Sequence, residues 1–581
     1  MKIRILNILL LSMVFLTFQL YAQEKEDNIG TQQVLIIKSY TPSLSNSFKI
    51  NSSPLIPDSL KAKNKILEFK IKSVPALSTF IPNKATPLKL QKRSSETSFN
   101  TFFNGGFGTK GQAYLDISSV IELDRLQRFG IKIYRDGFRN DLANTILNSN
   151  QSYTKFGVHH NLRSNYYNVN TLMQFVSIKN NYFGLYKRDW DSVLLKNINP
   201  EINRNYFKIR TNWNWYDFFV RGIEFQANLT SDNFNTSEQQ LSVNSNFEIE
   251  VGDGKLGAKI GLKGLNSSFE EPYFEDGVNE YTQGISSLEI HYKNTSNELK
   301  FKIGAGLAYV QGVNDFNKKL LYYPEIEISY KNSNNIMIPY FLSNGGVNFN
   351  SYQSLTIENP YLAPYTNLKP TFKKYNSTLG LKSSLASVLN FDFGFNFDQV
   401  ENFKLFERLP FDYKNKNMPY RLSNAYQGKY ANISLYGVKI ALQIDLTENN
   451  YIRFETFYNY YDFTEQQILW NVPSIELNWE GQFKWKNNLT LTFQGTLIGD
   501  RLAAFRPIFI AQEIEKIQYQ EEKIPYFITT TTHLTYKLSQ QFDVFLKAKI
   551  NSSGIHGKWA YYKEPSSLIL AGITYKFDFQ Y

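Results

Sequence analysis

Apolar and polar residues alternate along most of the chain from Ser98 onward. Leu489, Leu491 and Phe493 alternate with threonines, and the stretch at 440–446 repeats the pattern. A period of two places successive side chains on opposite faces of an extended strand. The pattern therefore predicts amphipathic β-strands, each with one apolar and one polar face.

The connections between these predicted strands alternate between short polar turns and long polar loops. Tight turns fall at 252–254, 294–298, 331–335, 446–450, 486–488 and 539–541, and long loops near 137–152, 178–203, 267–282, 345–370, 400–425, 499–524 and 551–566. This asymmetry is typical of outer-membrane barrels, whose sheet must close because lipid cannot pair backbone groups. We predict an all-β fold: a large closed antiparallel transmembrane β-barrel of about 22 strands, an even number that places both termini in the periplasm.

Aromatic residues collect where such a barrel would meet the two membrane surfaces. One cluster, near a tight turn, contains Trp213, Trp215 and Tyr216, and the other, near a long loop, contains Tyr458, Tyr460 and Tyr461. Tryptophan and tyrosine are enriched at both interfaces of membrane proteins. We interpret the clusters as interfacial girdles, and a platform on which sugars stack is the alternative.

Composition narrows the possible functions. The 581 residues are 42% hydrophobic and 16% aromatic, and no cysteine is present, which excludes disulfides and thiolate chemistry. The net charge of +11 is spread along the chain instead of forming a stripe, so a nucleic-acid partner is not expected.

The chain divides into three segments. Residues 1–22 carry Lys2, Arg4, a short apolar run and a final small residue, as a cleaved signal peptide does, with a membrane anchor as the alternative. Residues 23–97 hold six of the 19 prolines and one glycine, which predicts an extended periplasmic arm or lumen segment, or else a disordered linker. Residues 98–581 form the predicted barrel, and export through the leader places it in the cell outer membrane of a Gram-negative bacterium.

Signals for chemistry are weak. The GxGxxG match at 106–111 lies in a predicted hairpin instead of before a helix, and His159 and His160 point to opposite faces of a strand. The acidic loop at 270–277 could hold calcium, but a solvated loop explains it as well. The stretch at 512–523 predicts a short helix. We expect a protein that is not an enzyme, with no catalytic, cofactor-binding or metal-binding residue.

One stretch carries a family resemblance. ENPYLAPYTNLKPTFKKYNSTLGLKSSL, at 358–385, combines Asn-Pro-x-Leu, Lys-Pro and a Leu-Gly-Leu strand core, and it resembles the barrel segment of TonB-dependent receptors. The leader ending LYAQ and the Asn-, Lys- and Ile-rich usage are similar to Bacteroidota-type members. The resemblance implies that the last strand ends on an aromatic residue, is recognised by the barrel assembly machinery and pairs with the first strand. The apolar face of that strand contains Ile573, Tyr575, Phe577, Phe579 and Tyr581.

The chain departs from the family in one respect. A globular plug precedes the barrel in these receptors, whereas the segment at 23–97 is too rich in proline and too poor in glycine to resemble that plug. We therefore expect a plug-less barrel that serves as a scaffold or conduit subunit of a larger outer-membrane transport or assembly complex. Its arm and outer loops would contact protein partners. The alternative is a receptor-like or porin-like transporter of a bulky solute.

Overall fold

The computed structural model describes residues 99–579 with short gaps. The gaps are 187–189, 271–272, 274–277, 296–297, 313–319, 332–336, 386–387, 413–414, 464–467, 487, 506–519 and 553. The predicted leader, the predicted arm and Tyr581 lie outside the described residues.

Antiparallel strands account for most of the described chain. The first twelve are β1 (Thr101–Gly108), β2 (Gln112–Glu122), β3 (Gln127–Phe138), β4 (Gln151–Arg163), β5 (Tyr167–Asn181), β6 (Glu201–Trp215), β7 (Val220–Asp232), β8 (Ser237–Val251), β9 (Gly254–Ser268), β10 (Glu280–Thr295), β11 (Leu299–Gln311) and β12 (Leu320–Tyr330). The remaining twelve are β13 (Met337–Asn348), β14 (Thr371–Leu385), β15 (Leu389–Arg408), β16 (Tyr426–Thr447), β17 (Asn450–Phe463), β18 (Ile475–Trp485), β19 (Leu489–Ile498), β20 (Arg501–Phe505), β21 (Gln520–Ile524), β22 (Phe527–Lys537), β23 (Phe542–Asn551) and β24 (Ser567–Phe577).

All of these strands except β20 and β21 form one 22-stranded sheet. Each strand pairs with the next in chain order, β19 pairs with β22, and β24 pairs with β1 to close the barrel. Closure removes the sheet edges that would otherwise leave backbone groups unpaired in lipid. The predicted fold class and strand number are confirmed.

The alternating apolar and polar residues of each strand lie on the outward and the inward face of the barrel. On β24, Ile573 is 47% exposed on the outward face, whereas Leu570 is 1% exposed on the inward face. Thr574 and Lys576 share the inward face, where Lys576 pairs with Asp543 at 2.6 Å. The outward face is apolar as a lipid contact requires, and the inward face is polar.

The connections also differ between the two ends. Turns such as 123–126 and 216–219 join strands at one end, here called the short-turn end, where β1 starts and β24 ends. The opposite end, here called the long-loop end, carries all the long loops. Two connections at this end, 109–111 and 233–236, are nevertheless short. The predicted asymmetry is therefore present with two exceptions.

In the part of the chain that the structure describes, two α-helices lie in the loops of the long-loop end, α1 (Ser192–Asn197) and α2 (Tyr352–Glu358). Among the described residues, no helix is long and apolar enough to cross a membrane. The predicted helix at 512–523 is wrong over its last four residues, because they belong to β21, whose backbone pairs with β20. The rest of that stretch lies outside the described residues.

The seam between β24 and β1 depends on a glycine. Gly572 pairs with Gly106 across the seam and with Phe545 on the other side. A Cβ at Gly572 would overlap the ring of Phe545, which reaches over the seam to within 5.9 Å of the ring of Tyr114 on β2. The last strand thus closes the barrel beneath an inward-facing aromatic contact.

Candidate functional site

The loops of the long-loop end fold into one buried cluster, here called the loop assembly. It comprises the described residues of 139–150, 182–200, 269–279, 349–370, 409–425 and 552–566. Tyrosines, leucines and phenylalanines from these loops share a core in which Tyr182, Tyr352 and Leu362 have no measurable exposure. Such burial is unusual for long loops, which normally cover a surface.

The segment at 359–370 runs through the centre of the loop assembly. The amide of Ala363 donates to the carbonyl of Tyr426 at 2.8 Å, and the amide of Tyr426 donates to the carbonyl of Tyr361 at 3.0 Å. The ring of Tyr361 stacks on that of Tyr562, with centroids 3.3 Å apart. This central segment belongs to the stretch that carries the family resemblance.

A buried arginine ties the segment to the barrel wall. Arg204, near the long-loop end of β6, is fully buried and donates to the carbonyl of Leu362 at 2.6 Å and to the carbonyl of Pro360. Its Nε also donates to the hydroxyl of Tyr352 at 3.3 Å. A guanidinium offers five donors in a fixed fork, so one side chain can hold several carbonyls that the loop fold leaves without backbone partners.

A second buried arginine joins two other loops. Arg421 donates to the carbonyl of Tyr273 at 3.2 Å and to the carboxylate of Asp412 at 2.5 Å. Burial alone would raise the pKa of Asp412, but hydrogen bonds from Asn415 and Arg421 outweigh it and hold that pKa below its ordinary value. The carboxylate therefore stays ionised to a lower pH than an ordinary aspartate, and its ion pair with Arg421 persists over the same pH range.

A carboxylate on the wall caps the start of α2. Glu238 on β8 accepts hydrogen bonds from the amides of Tyr352 at 2.5 Å and Gln353 at 2.9 Å. The hydroxyl of Ser351 accepts a further bond from the amide of Ser354 at 3.1 Å. The first-turn amides of a helix lack internal partners, so these bonds fix where α2 begins.

The inward wall beside the loop assembly contains an open cavity. The cavity has a volume of about 690 Å³ and is lined by inward-facing residues of β2–β5, β19 and β22–β24. Phe138 and Leu568 belong both to its lining and to the core of the loop assembly, and Gln151 donates to the hydroxyl of Tyr361 at 3.3 Å. The cavity is therefore continuous with the underside of the folded loops.

Tyrosines form a row across this part of the wall. Tyr114, Tyr134 and Tyr153 come from β2, β3 and β4, and neighbouring ring centroids lie 5.8 Å and 5.7 Å apart in edge-to-face pairs. The ammonium of Lys547 lies 4.9 Å from the centroid of the Tyr114 ring. The wall thus combines aromatic surfaces with fixed charges, which is typical of a site for a polar ligand with ring faces.

The predicted aromatic residues lie mainly on the outward face. Trp213, Tyr216, Tyr458 and Tyr460 are exposed, and Trp215 is half-buried beside Trp213. Tyr461 points inward, where its ring packs 6.1 Å from that of Phe403. The role of the outward residues as interfacial girdles stays a prediction.

The predicted closing strand pairs as expected, but its proposed recognition by assembly machinery stays a prediction. Ile573 and Phe579 are exposed on the outward side, and the rings of Tyr575 and Phe577 stack at 5.3 Å. Asn100, just before β1, exchanges two hydrogen bonds with the backbone of Phe579, at 2.9 Å and 2.8 Å.

The other motifs do not build a site. The GxGxxG match spans the end of β1 and the tight turn at 109–111, which confirms the predicted hairpin. Of the four acidic residues proposed for calcium, Glu270, Glu271, Glu275 and Asp276, the structure describes Glu270 alone, which accepts a hydrogen bond from Asn235. His556 accepts a hydrogen bond from the amide of Tyr561 at 3.0 Å, and its Nε2 lies 3.4 Å from the carboxylate of Glu522.

The buried arginines and the tyrosine row were missed by the sequence reasoning. Arg204 and Tyr134 occupy polar-face positions of predicted strands, where the alternation treats every residue as a generic lumen contact. Phe545 offered a usable signal, because it is a large apolar residue on the polar face of β23 between Asp543 and Lys547.

Known structures share this fold. The chain is similar to the siderophore receptor PirA from Acinetobacter baumannii (TM-score 0.55, 10% identity, covering 82% of this chain and 80% of that chain). It is also similar to the FrpB iron transporter from Neisseria meningitidis (TM-score 0.58, 10% identity, covering 83% of this chain and 82% of that chain). A third similar structure is the copper transporter OprC (TM-score 0.54, 11% identity, covering 83% of this chain and 81% of that chain). At such low identity the likeness shows the barrel fold alone. No protein-family model and no curated protein matches the chain.

Proposed function

We propose that the protein is a receptor-like transporter of the Gram-negative outer membrane that passes a bulky polar solute through its barrel. The observation that carries this proposal is the closed 22-stranded barrel whose polar inner wall holds a cavity directly beside a folded loop assembly. A barrel of this size encloses a lumen wide enough for a solute. The neighbours named as receptors and transporters support this alternative better than the scaffold role expected first.

The proposal includes the finer expectations. The leader at 1–22 is cleaved, the segment at 23–97 is a periplasmic arm or lumen segment, and the barrel at 98–581 lacks the family's plug and resembles Bacteroidota-type members. The protein is not an enzyme. It contacts outer-membrane lipid, the barrel assembly machinery through its last strand, and protein partners through the arm and outer loops.

Conductance in planar lipid bilayers tests whether the lumen is a passage. The mature chain is compared with a variant lacking 23–97 and with the same deletion combined with Arg204→Met, which loosens the loop assembly. We expect large, ungated conductance in at least the combined variant, because both barriers in the proposed path are weakened. Low conductance in both variants, together with loss of co-purifying proteins from the deletion, would contradict transport and support the scaffold role.

A further inference from the structure

The charge of the wall cavity selects the kind of solute. Its lining includes four lysines, Lys132, Lys155, Lys547 and Lys549, and one aspartate, Asp136. Lys547 pairs with Asp136 at 3.8 Å, and Lys132 pairs with Asp116 at 3.6 Å. The cavity is therefore positively charged overall, which disfavours cationic solutes.

Two of these lysines make no close ion pair, although the buried carboxyl of Glu564 in the loop assembly interacts electrostatically with Lys549. Among the described residues, neither Lys155 on β4 nor Lys549 on β23 makes an ion pair within 4.0 Å. Both residues line the same cavity. An ammonium in a recess is stabilised by an anionic partner, and a carboxylate or phosphate would form charge-assisted hydrogen bonds with it.

The rest of the lining is suited to a sugar. Tyr134 and Tyr153 present aromatic surfaces, on which the apolar face of a pyranose ring can pack. Gln112 is buried and donates to Asp136 at 2.9 Å, which fixes the direction of that carboxylate in the cavity lining.

We propose that this cavity binds an acidic oligosaccharide. The sugar rings pack on Tyr134 and Tyr153, and the carboxylate or phosphate groups contact Lys155 and Lys549. The volume of about 690 Å³ lies within the ordinary range of small-molecule sites. A small inorganic anion would leave the tyrosines unused, and an apolar solute would leave the lysines unpaired. This inference rests on the proposed transport function and names the class of its solute.

Isothermal titration calorimetry on the full mature chain in detergent tests the proposal. The probes are trigalacturonate, which is carboxylated, maltotriose, which is neutral and of equal length, glucose 6-phosphate and inorganic phosphate. We expect trigalacturonate to bind at least about tenfold more tightly than maltotriose or inorganic phosphate. Tighter binding of glucose 6-phosphate than of trigalacturonate would identify phosphate as the acidic group and still support the proposal.

Matched variants separate the site from general charge. Lys155→Gln combined with Lys549→Gln is expected to weaken trigalacturonate binding about tenfold or more. Lys208→Gln, an inward-facing lysine of β6 outside the cavity, should leave binding unchanged. Heat-modifiable migration in gel electrophoresis confirms that each variant is folded.

Two results would overturn the inference. One is equal binding of maltotriose and trigalacturonate, and the other is unchanged affinity in the double lysine variant. Absence of binding by every probe would also refute the ligand class. The conductance experiment is independent of these probes, so a conducting barrel that binds none of them would refute this inference and leave the transport proposal standing.

Discussion

Replacing Arg204 by methionine should open the centre of the loop assembly. Methionine fills much of the space of the arginine stem but donates no hydrogen bonds. The carbonyl of Pro360 would then lose its arginine donor, and the carbonyl of Leu362 would keep only the bond from the hydroxyl of Tyr182 at 2.7 Å. A hydrogen bond to a charged group contributes about 1.5 to 3 kcal/mol, so losing two should lower the free energy of local opening by about 3 to 6 kcal/mol.

Hydrogen exchange followed by mass spectrometry measures this change. Peptides covering 359–370 contain the amides of Leu362 and Ala363, which donate at 3.1 Å and 2.8 Å inside the loop assembly. Because about 1.4 kcal/mol corresponds to a factor of ten, their protection should fall about 100-fold or more.

Arg210→Met is the matched control. Arg210 lies on the same strand and the same inward face, but it pairs with Glu224 at a partly exposed position. Such pairs contribute about 1 kcal/mol or less, so protection of 359–370 should be nearly unchanged. If both variants protect that segment equally, Arg204 does not hold the loop assembly and the reasoning is wrong.

Three further predictions address the seam, the last strand and pH. Gly572→Val should abolish the heat-modifiable gel shift of a closed barrel, whereas Gly264→Val, where an added Cβ meets open space, should preserve it. Polar replacement of the three aromatics within 577–581 should block insertion, and normal outer-membrane levels of that variant would refute the role of the last strand. The pKa of Asp412 is lowered in the folded loops, so its contribution to stability is present above about pH 4 and is lost as pH falls through that lowered pKa. Limited proteolysis should detect the loosening of the loops at low pH. Asp412→Asn should weaken this pH dependence.

The barrel could be predicted because lipid imposes a simple rule on every strand. Residues of the outward face must be apolar and those of the inward face are free to be polar, so strands as different as β19 and β23 share one period. The seam needed more than this rule. Phe545 breaks the alternation of β23, and its reason emerges only when Gly572 and Gly106 are seen side by side on neighbouring strands.

The loop assembly could not be predicted, because loops have no period. Arg204 and Leu362 are separated by 158 positions in sequence and meet only after the barrel has placed β6 beside the centre of the loops. The pattern predicts where the long loops lie, but the length and polarity of these loops suggest exposed connections. Their tyrosines and leucines are the residues that the structure buries.

The segment at 359–370 is better explained as an anchor than as a solute contact. Its carbonyls already accept bonds from side chains of the wall and of a neighbouring turn, including Gln283 to Leu368 at 2.8 Å and Thr236 to Pro364 at 3.1 Å. The hydroxyl of Thr366 accepts the amide of Gly428 at 2.7 Å. Groups committed in this way are not available to a ligand unless the loops unfold. In the proposed transport function, solute recognition would therefore fall to groups that are not already committed, such as the lysines and tyrosines of the wall cavity.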